Sequence, residues 1–462
     1  MFFFRRRSIG LAGLAGLGAM FIALACAQGT QGLEEGNAPN PTAVESPVDF
    51  SSSDERPSTP APASPDVATL TLTATTGPKP AATPDGGQAV TEPESLPAEI
   101  DLTLRTPEEP PPRVDKSIAI VDVGDVLFDT FGRGFLRLSE ADDEAVESLR
   151  DRIKPIYEPK YEGIEGGKWS GEGDLVIGYV SEKSGDAYAY PVKMLNLHEI
   201  VNDVIDGEPI LISYCPLCVS GVVYSRELDG RVLLFGNTSA LYESDLVMYD
   251  HETGSYWFQV LGEAIVGPLS GDRLRLLPSV TITWGDWKNL HPETRILSRD
   301  LGLLPSTVRG SPYDRDPFEG YQDYVNDGRF AFPVSPEKLD DRLRPGDIVF
   351  AVQIGDIHRA YALSDKPDQV INDEVDGEPI LVVARDKGPT AAAYERTLAG
   401  RLLTFSFVEG VLQDEETSSR WDDGGRAISG SLAGSQLVRV PSRTSFWFSL
   451  VGSLPDVELY AP

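Results

Sequence analysis

Apolar and polar residues alternate over short runs from about residue 174 onward. DLVIGYV, AYAYPV, PILISY, GVVYSREL, RVLLFG, DLVMYD and RLRLLP are rich in β-branched and aromatic residues, and DGE, DG, TG and SGD turn signals separate them. The pattern resumes further on as DIVFAVQ, HRAYAL, PILVVA, AAAYERTL, RLLTFSF and QLVRVP. Helical spacing is rarer. Ser139, then Asp142, Asp143 and Glu144, then Val146, Leu149 and Ile153 predict one capped helix ending before Pro155. Weaker helical periodicity covers Met194 to Val201 and Trp284 to Leu290. Short strands with turn punctuation predict a mainly β fold with a few short helices.

The two series of strands are one unit written twice. Residues 201–235 and 371–405 align without a gap at 15 identities in 35 positions, among them Asn202/Asn372, Asp206/Asp376, Gly207/Gly377, Pro209/Pro379, Tyr224/Tyr394 and Gly230/Gly400. Further on, residues 267–284 align with 430–447, and Glu252, Thr253 and Trp257 fall on Glu416, Thr417 and Trp421. Self-similarity of this kind sets the architecture. The expectation is two tandem, sequence-related β-sandwich or barrel-like units packed as a pseudo-symmetric pair. Residues 116–320 hold a lead-in and the first copy, and 321–462 the second, degenerate one.

Duplication also provides an internal control, because a residue kept in both copies serves the fold and one confined to the first is a candidate for chemistry. Asp250/Asp414, Trp257/Trp421 and Trp284/Trp447 therefore read as strand-end and core residues. The differences are few: Cys215 falls on Arg385, Cys218 on Gly388, His198 on Asp368 and His251 on Glu415. Cys215 and Cys218 frame CPLC, on a tight turn between two apolar strands, where a CxxC knuckle presents two sulfurs to one metal. Zinc or copper needs further donors, with His198 the first candidate and His251 the second. The alternative is a Cys215–Cys218 disulfide, structural or redox-active. No βαβ pattern of the thioredoxin kind surrounds the pair, and no nucleophile elbow, HExxH, phosphate loop or dinucleotide fingerprint occurs. Among 72 acidic residues no carboxylate pair stands out.

The N-terminus changes the setting of this chemistry. Arg5 to Arg7, an apolar run from Ile9 to Ala25 and then Cys26 have the form of a lipoprotein signal peptide over residues 1–25, with Cys26 as the lipidated mature N-terminus. Residues 26–115 form a Pro-, Ala-, Ser- and Thr-rich stretch with almost no aromatic residue, which predicts a disordered stalk. Export places Cys215 and Cys218 where disulfides persist. The net charge of −32 argues against nucleic acid and against docking on anionic lipid, so the expected membrane contact is the lipid anchor.

LVIGYV, YAYPVKMLNLHEIVND, DGEPILISYCPLC, LVMYDHETGSYW, GPLSGDRLRLLP and TWGDWKNLHPETRIL occur in this order. In these motifs the chain resembles a bacterial and archaeal family called domain of unknown function 3179, over essentially everything after the stalk. The resemblance implies an exported or membrane-tethered protein and carries no established activity. Where this chain has Val219 the family usually has Gly, and where it has His251 the family often has Arg, which leaves His198 with the cysteines as the preferred donor set. Two functional expectations follow. One is a metal-binding (copper or zinc) or thiol-redox protein on the outer face of the membrane, working through His198, Cys215 and Cys218. The other is a non-enzymatic surface-binding or scaffold module for a protein or glycan partner, with a structural disulfide.

Overall fold

A computed structural model describes residues 110–461 except 133, 305–309 and 387–389. The expected signal peptide, Cys26, the stalk as far as residue 109 and Gly388 lie outside the described residues. The lead-in helix α1 spans Asp143–Leu149 and buries Val146 and Leu149. Asp142, rather than Ser139, caps it, because its carboxylate accepts from the Ala145 N–H at 2.8 Å.

In the first copy β1 (Leu175–Val180) and β2 (Ala187–Pro191) form a hairpin, followed by α2 (Val192–His198). A meander of β3 (Ile200–Ile205), β4 (Glu208–Cys215) and β5 (Ser220–Ser225) comes next. Then β6 (Phe235–Tyr242), β7 (Asp245–Asp250), β8 (Tyr256–Phe258) and β9 (Glu263–Val266) build a second antiparallel sheet. Next, β10 (Ser279–Thr283) returns to β1, α3 (Trp284–Leu290) follows, and β11 (Arg295–Leu297) runs parallel to β2.

After α4 (Tyr321–Asn326) the second copy repeats this order without a counterpart to α2. Its hairpin is β12 (Ile348–Ile354) with β13 (Ile357–Ala362), and its meander is β14 (Gln369–Val375), β15 (Glu378–Ala384) and β16 (Ala391–Glu395). The second sheet is β17 (Phe405–Val408), β18 (Val411–Asp414), β19 (Arg420–Trp421) and β20 (Ala427–Ser429). Finally β21 (Ser442–Phe446), α5 (Trp447–Ser453) and β22 (Glu458–Leu459) close it. Strand order β10-β1-β2-β11 in one copy is matched by β21-β12-β13-β22 in the other.

The fold is mainly β with several sheets, and none closes into a barrel among the described residues. Closure fails because the first copy's meander finds its next neighbour in the other copy: Gly221 of β5 pairs with Thr444 of β21, and one seven-stranded sheet runs β22-β13-β12-β21-β5-β4-β3. Glycine suits this close approach, since a Cβ at Gly221 would lie 3.0 Å from the Ile177 side chain and 3.1 Å from that of Thr281, which would have to shift. Strands from both sides of residue 320 thus share a sheet. The first hairpin is covered on two faces, as period-two alternation requires. Ile177, Tyr179, Tyr188 and Tyr190 pack on their own copy's meander, whereas Val176, Ala189, Val280 and Ile282 pack on Leu381, Val383 and Ala392 of the second.

Residues kept in both copies make the same bonds. Asn202 brackets Phe235, accepting from its N–H and donating to its C=O at 2.8 Å each, and Asn372 does the same to Phe405 at the same distances. The indole N–H of Trp257 donates to Asp250 at 2.8 Å and that of Trp421 to Asp414 at 2.9 Å. The expected strands RLRLLP and QLVRVP are absent as strands in both copies, leaving isolated bridges at Arg273, Leu276, Gln436 and Arg439. Each segment bonds in alternation to two different partners: Leu274 N–H donates to Gly262 and Leu277 N–H to Val223, so no continuous ladder forms.

Candidate functional site

CPLC lies where expected, closing the turn from β4 to β5, with the Cys218 N–H donating to the Cys215 C=O at 3.2 Å. Val219 follows in the left-handed region at φ 54°, a conformation that suits glycine and strains a β-branched side chain. Both cysteines are free thiols. Their Sγ atoms and a carboxylate oxygen of Asp245 lie within 4.8 Å of one another.

Asp245 reaches the sulfurs because the first copy's β6–β7 hairpin is long. It has 16 residues from Phe235 to Asp250, against 10 from Phe405 to Asp414. Asn237 pairs with Met248 as Phe407 pairs with Leu412, and beyond that point the first hairpin continues to a turn at Glu243 and Ser244, at φ 51° and 61°. Asp245 starts the return strand and has no counterpart in the second copy. Its Oδ1 accepts from the Leu246 N–H at 2.6 Å and its Oδ2 from Ser449 Oγ of α5 at 3.2 Å. Cys218 Sγ donates to the Ser244 C=O at 3.3 Å, and the buried Ser244 Oγ has no hydrogen-bond partner.

The cluster is enclosed: Cys215 is 1% exposed, Cys218 and Asp245 0%. Val325 and Phe332 of the segment between the copies and Phe446 and Phe448 of the second copy complete the apolar shell, with Tyr321 packed against it. Burial pushes the Cys215 thiol up to about 11, raises Cys218 well above the ordinary range, and lifts Asp245 to about 7 despite hydrogen bonds from the thiols, Leu246 and Ser449. Burial thus penalises the charged form of all three groups. A metal cation bound there would stabilise all three anions together, at the cost of their protons.

Neither histidine reaches this cluster. His198 ends α2 with both ring nitrogens occupied, Nδ1 by the Lys154 C=O at 2.6 Å and Nε2 by the Tyr313 hydroxyl at 2.7 Å, a satisfied core imidazole. His251 places Nε2 3.0 Å from Tyr157 Oη, whose hydroxyl donates to Asp151 at 3.0 Å. Among the described residues, the metal-type donors that gather are Cys215, Cys218 and Asp245.

Sequence reasoning missed Asp245 and also Glu199, a buried carboxyl that burial raises to about 8 and that accepts from Asn237 Nδ2 at 2.6 Å. Both could have been found by extending the comparison of copies, since Gln369 stands at the position of Glu199 and the hairpin carrying Asp245 is an insertion. At the equivalent turn of the second copy an ion cluster replaces the sulfurs. Arg385 binds Asp423 through two nitrogens at 2.8 and 2.7 Å and Asp368 at 2.7 Å, with its guanidinium over the Phe407 ring.

No curated protein and no solved structure matches the chain. Residues 150–456 match the family described as protein of unknown function (DUF3179), and the chain belongs to that family.

Proposed function

We propose that this chain is a metal-holding protein, lipid-anchored through Cys26 at the outer face of the membrane, that binds zinc or copper at Cys215, Cys218 and Asp245. The observation that carries the reading is the convergence of three ligand-type side chains in the first copy at a place where the second copy has Arg385, a glycine and no hairpin extension. Two thiolates suit either metal, and the carboxylate adds a harder donor. Enclosure supports holding over exchange: thiol–disulfide exchange needs an attacking sulfur to reach the pair, and both sulfurs are buried. It equally supports a non-enzymatic role, since no substrate touches an enclosed centre, and a surface-binding or scaffold module built around such a centre is the companion reading. Matching strand order and the shared sheet support reading the copies as a pseudo-symmetric pair.

Metal analysis of the full-length protein tests this. Wild type should carry about one zinc or copper per chain, as a single closed site requires. Cys215→Ser and Asp245→Ala should lose it, and Arg385→Ala should keep it. Equal metal content in wild type and Cys215→Ser would remove the proposal.

A further inference from the structure

We propose that the metal site is a zinc-type centre shared between the two copies, with Ser449 of α5 as the positioning residue that the second copy supplies. The inference rests on the metal reading above and adds the metal class and the division of the site. Its ground is the way Asp245 is held. One carboxylate oxygen accepts from the Leu246 N–H of its own strand, and the other accepts from a hydroxyl 204 residues away, at 3.2 Å. Ser449 is itself buried, on a helix whose preceding strand reaches the cysteine turn, since the Phe446 N–H donates to the Cys218 C=O at 2.7 Å. The second copy thus grips the site at both the sulfur turn and the carboxylate.

A metal-bound carboxylate needs such a partner, because a hydrogen bond to one lone pair fixes the direction of those left for the metal. The donor chemistry decides the metal class. Copper(I) is satisfied by two thiolates alone and gains little from a carboxylate, whereas zinc, of borderline softness, takes sulfur and oxygen together. Asp245 lies on an insertion confined to the copy with the cysteines, so the third donor accompanies the sulfur pair. The Ser244 hydroxyl, buried beside it without a partner, is a further oxygen at the site that the protein alone leaves unsatisfied.

The test is chelator competition for zinc in the full-length protein, together with the absorption of the cobalt(II)-loaded form. Wild type, Ser449→Ala, Ser449→Thr and Asp245→Ala are compared, with Cys215→Ser as the metal-free reference. Ser449→Ala should bind zinc about 10- to 100-fold more weakly, the effect of losing a partner that orients a ligand. Its cobalt spectrum should shift, and Ser449→Thr, which keeps the hydroxyl, should restore both. Asp245→Ala should lose more than Ser449→Ala. Zinc affinity and cobalt spectrum unchanged in Ser449→Ala, with wild type loaded and Cys215→Ser empty, would overturn the shared site and leave the metal reading standing. Tight copper(I) binding unaffected by either Asp245→Ala or Ser449→Ala, with no zinc binding, would overturn the metal class. A wild type that takes up neither zinc nor copper(I) overturns the metal reading itself. Should Ser449→Ala fail to fold, Ser449→Cys serves in its place: its thiol is a weaker donor to Asp245, so zinc should bind more weakly and the cobalt spectrum should shift, and wild-type affinity and spectrum in Ser449→Cys would overturn the shared site.

Discussion

An ordinary histidine titrates near pH 6.5, but burial holds His198 at about 4, against a raising hydrogen bond to the Lys154 C=O. The native state therefore binds fewer protons at this site than the unfolded state between those values. Its stabilising contribution is fully present above pH 6.5 and is lost as pH falls towards 4, to a total of about 3 kcal/mol. Urea unfolding of metal-free protein from pH 7 to pH 4 should show this loss, and His198→Gln should flatten the slope by about one proton. An identical slope in the variant would contradict the buried neutral imidazole. The paired asparagines give a second measurement. Asn202→Ala strands a buried N–H and C=O of Phe235 and should cost about 2–6 kcal/mol, two unsatisfied groups at the usual penalty. Asn372→Ala should cost less, because Asn372 is only half-buried where Asn202 is fully buried, and water can reach the groups it frees. Equal losses would mean that exposure does not set the cost.

At the level of elements, the first copy differs from the second by two additions, α2 and the hairpin extension. The tip of that extension is fastened by Glu243, whose side chain accepts from the Ser335 N–H at 2.8 Å, from Ser335 Oγ at 2.7 Å and from Lys338 Nζ at 2.9 Å. These bonds tie the segment that covers the cysteines to the strand that carries Asp245. Glu243→Ala should destabilise the protein by about 1–3 kcal/mol, as expected for removing a buried acceptor from several donors, and should speed release of bound metal to a chelator. Unaltered release with lowered stability would show that the fastening is structural only. The two absent strands, RLRLLP and QLVRVP, belong to this scale too. Their alternation is real, with Leu274, Leu276 and Leu277 buried, but a single segment bridging two partners cannot form a ladder.

In the whole molecule the copies are interleaved through β5 and β21, through Phe446 and Phe448 against the cysteine turn, and through the second meander against the first hairpin. A chain ending near Gly320 would leave β5 as an open edge and uncover both of those apolar faces. It should aggregate when expressed, whereas full-length protein should unfold in a single cooperative transition. A soluble fragment of that length with its own cooperative unfolding transition would show that the copies fold separately.

The sequence alone determined what local pattern and self-comparison can carry. Most of the strands, though not RLRLLP and QLVRVP, were legible there, with the short helices at α2 and α3, the duplication, the turn that presents CPLC, and the structural duty of Asn202, Asp250 and Trp257, because each of these depends on period, turn chemistry or repetition. What it left open was settled in three dimensions. His198 and Cys215 are 17 positions apart in one unit, yet His198 turns to Lys154 and Tyr313, while Asp245, further along the chain, comes to the sulfurs. A strand pattern sets which face a side chain occupies and says nothing of which hairpin folds over that face. The pairing of β5 with a strand of the other copy was equally invisible, since a ladder edge accepts any strand of suitable register and only the packed chain selects one.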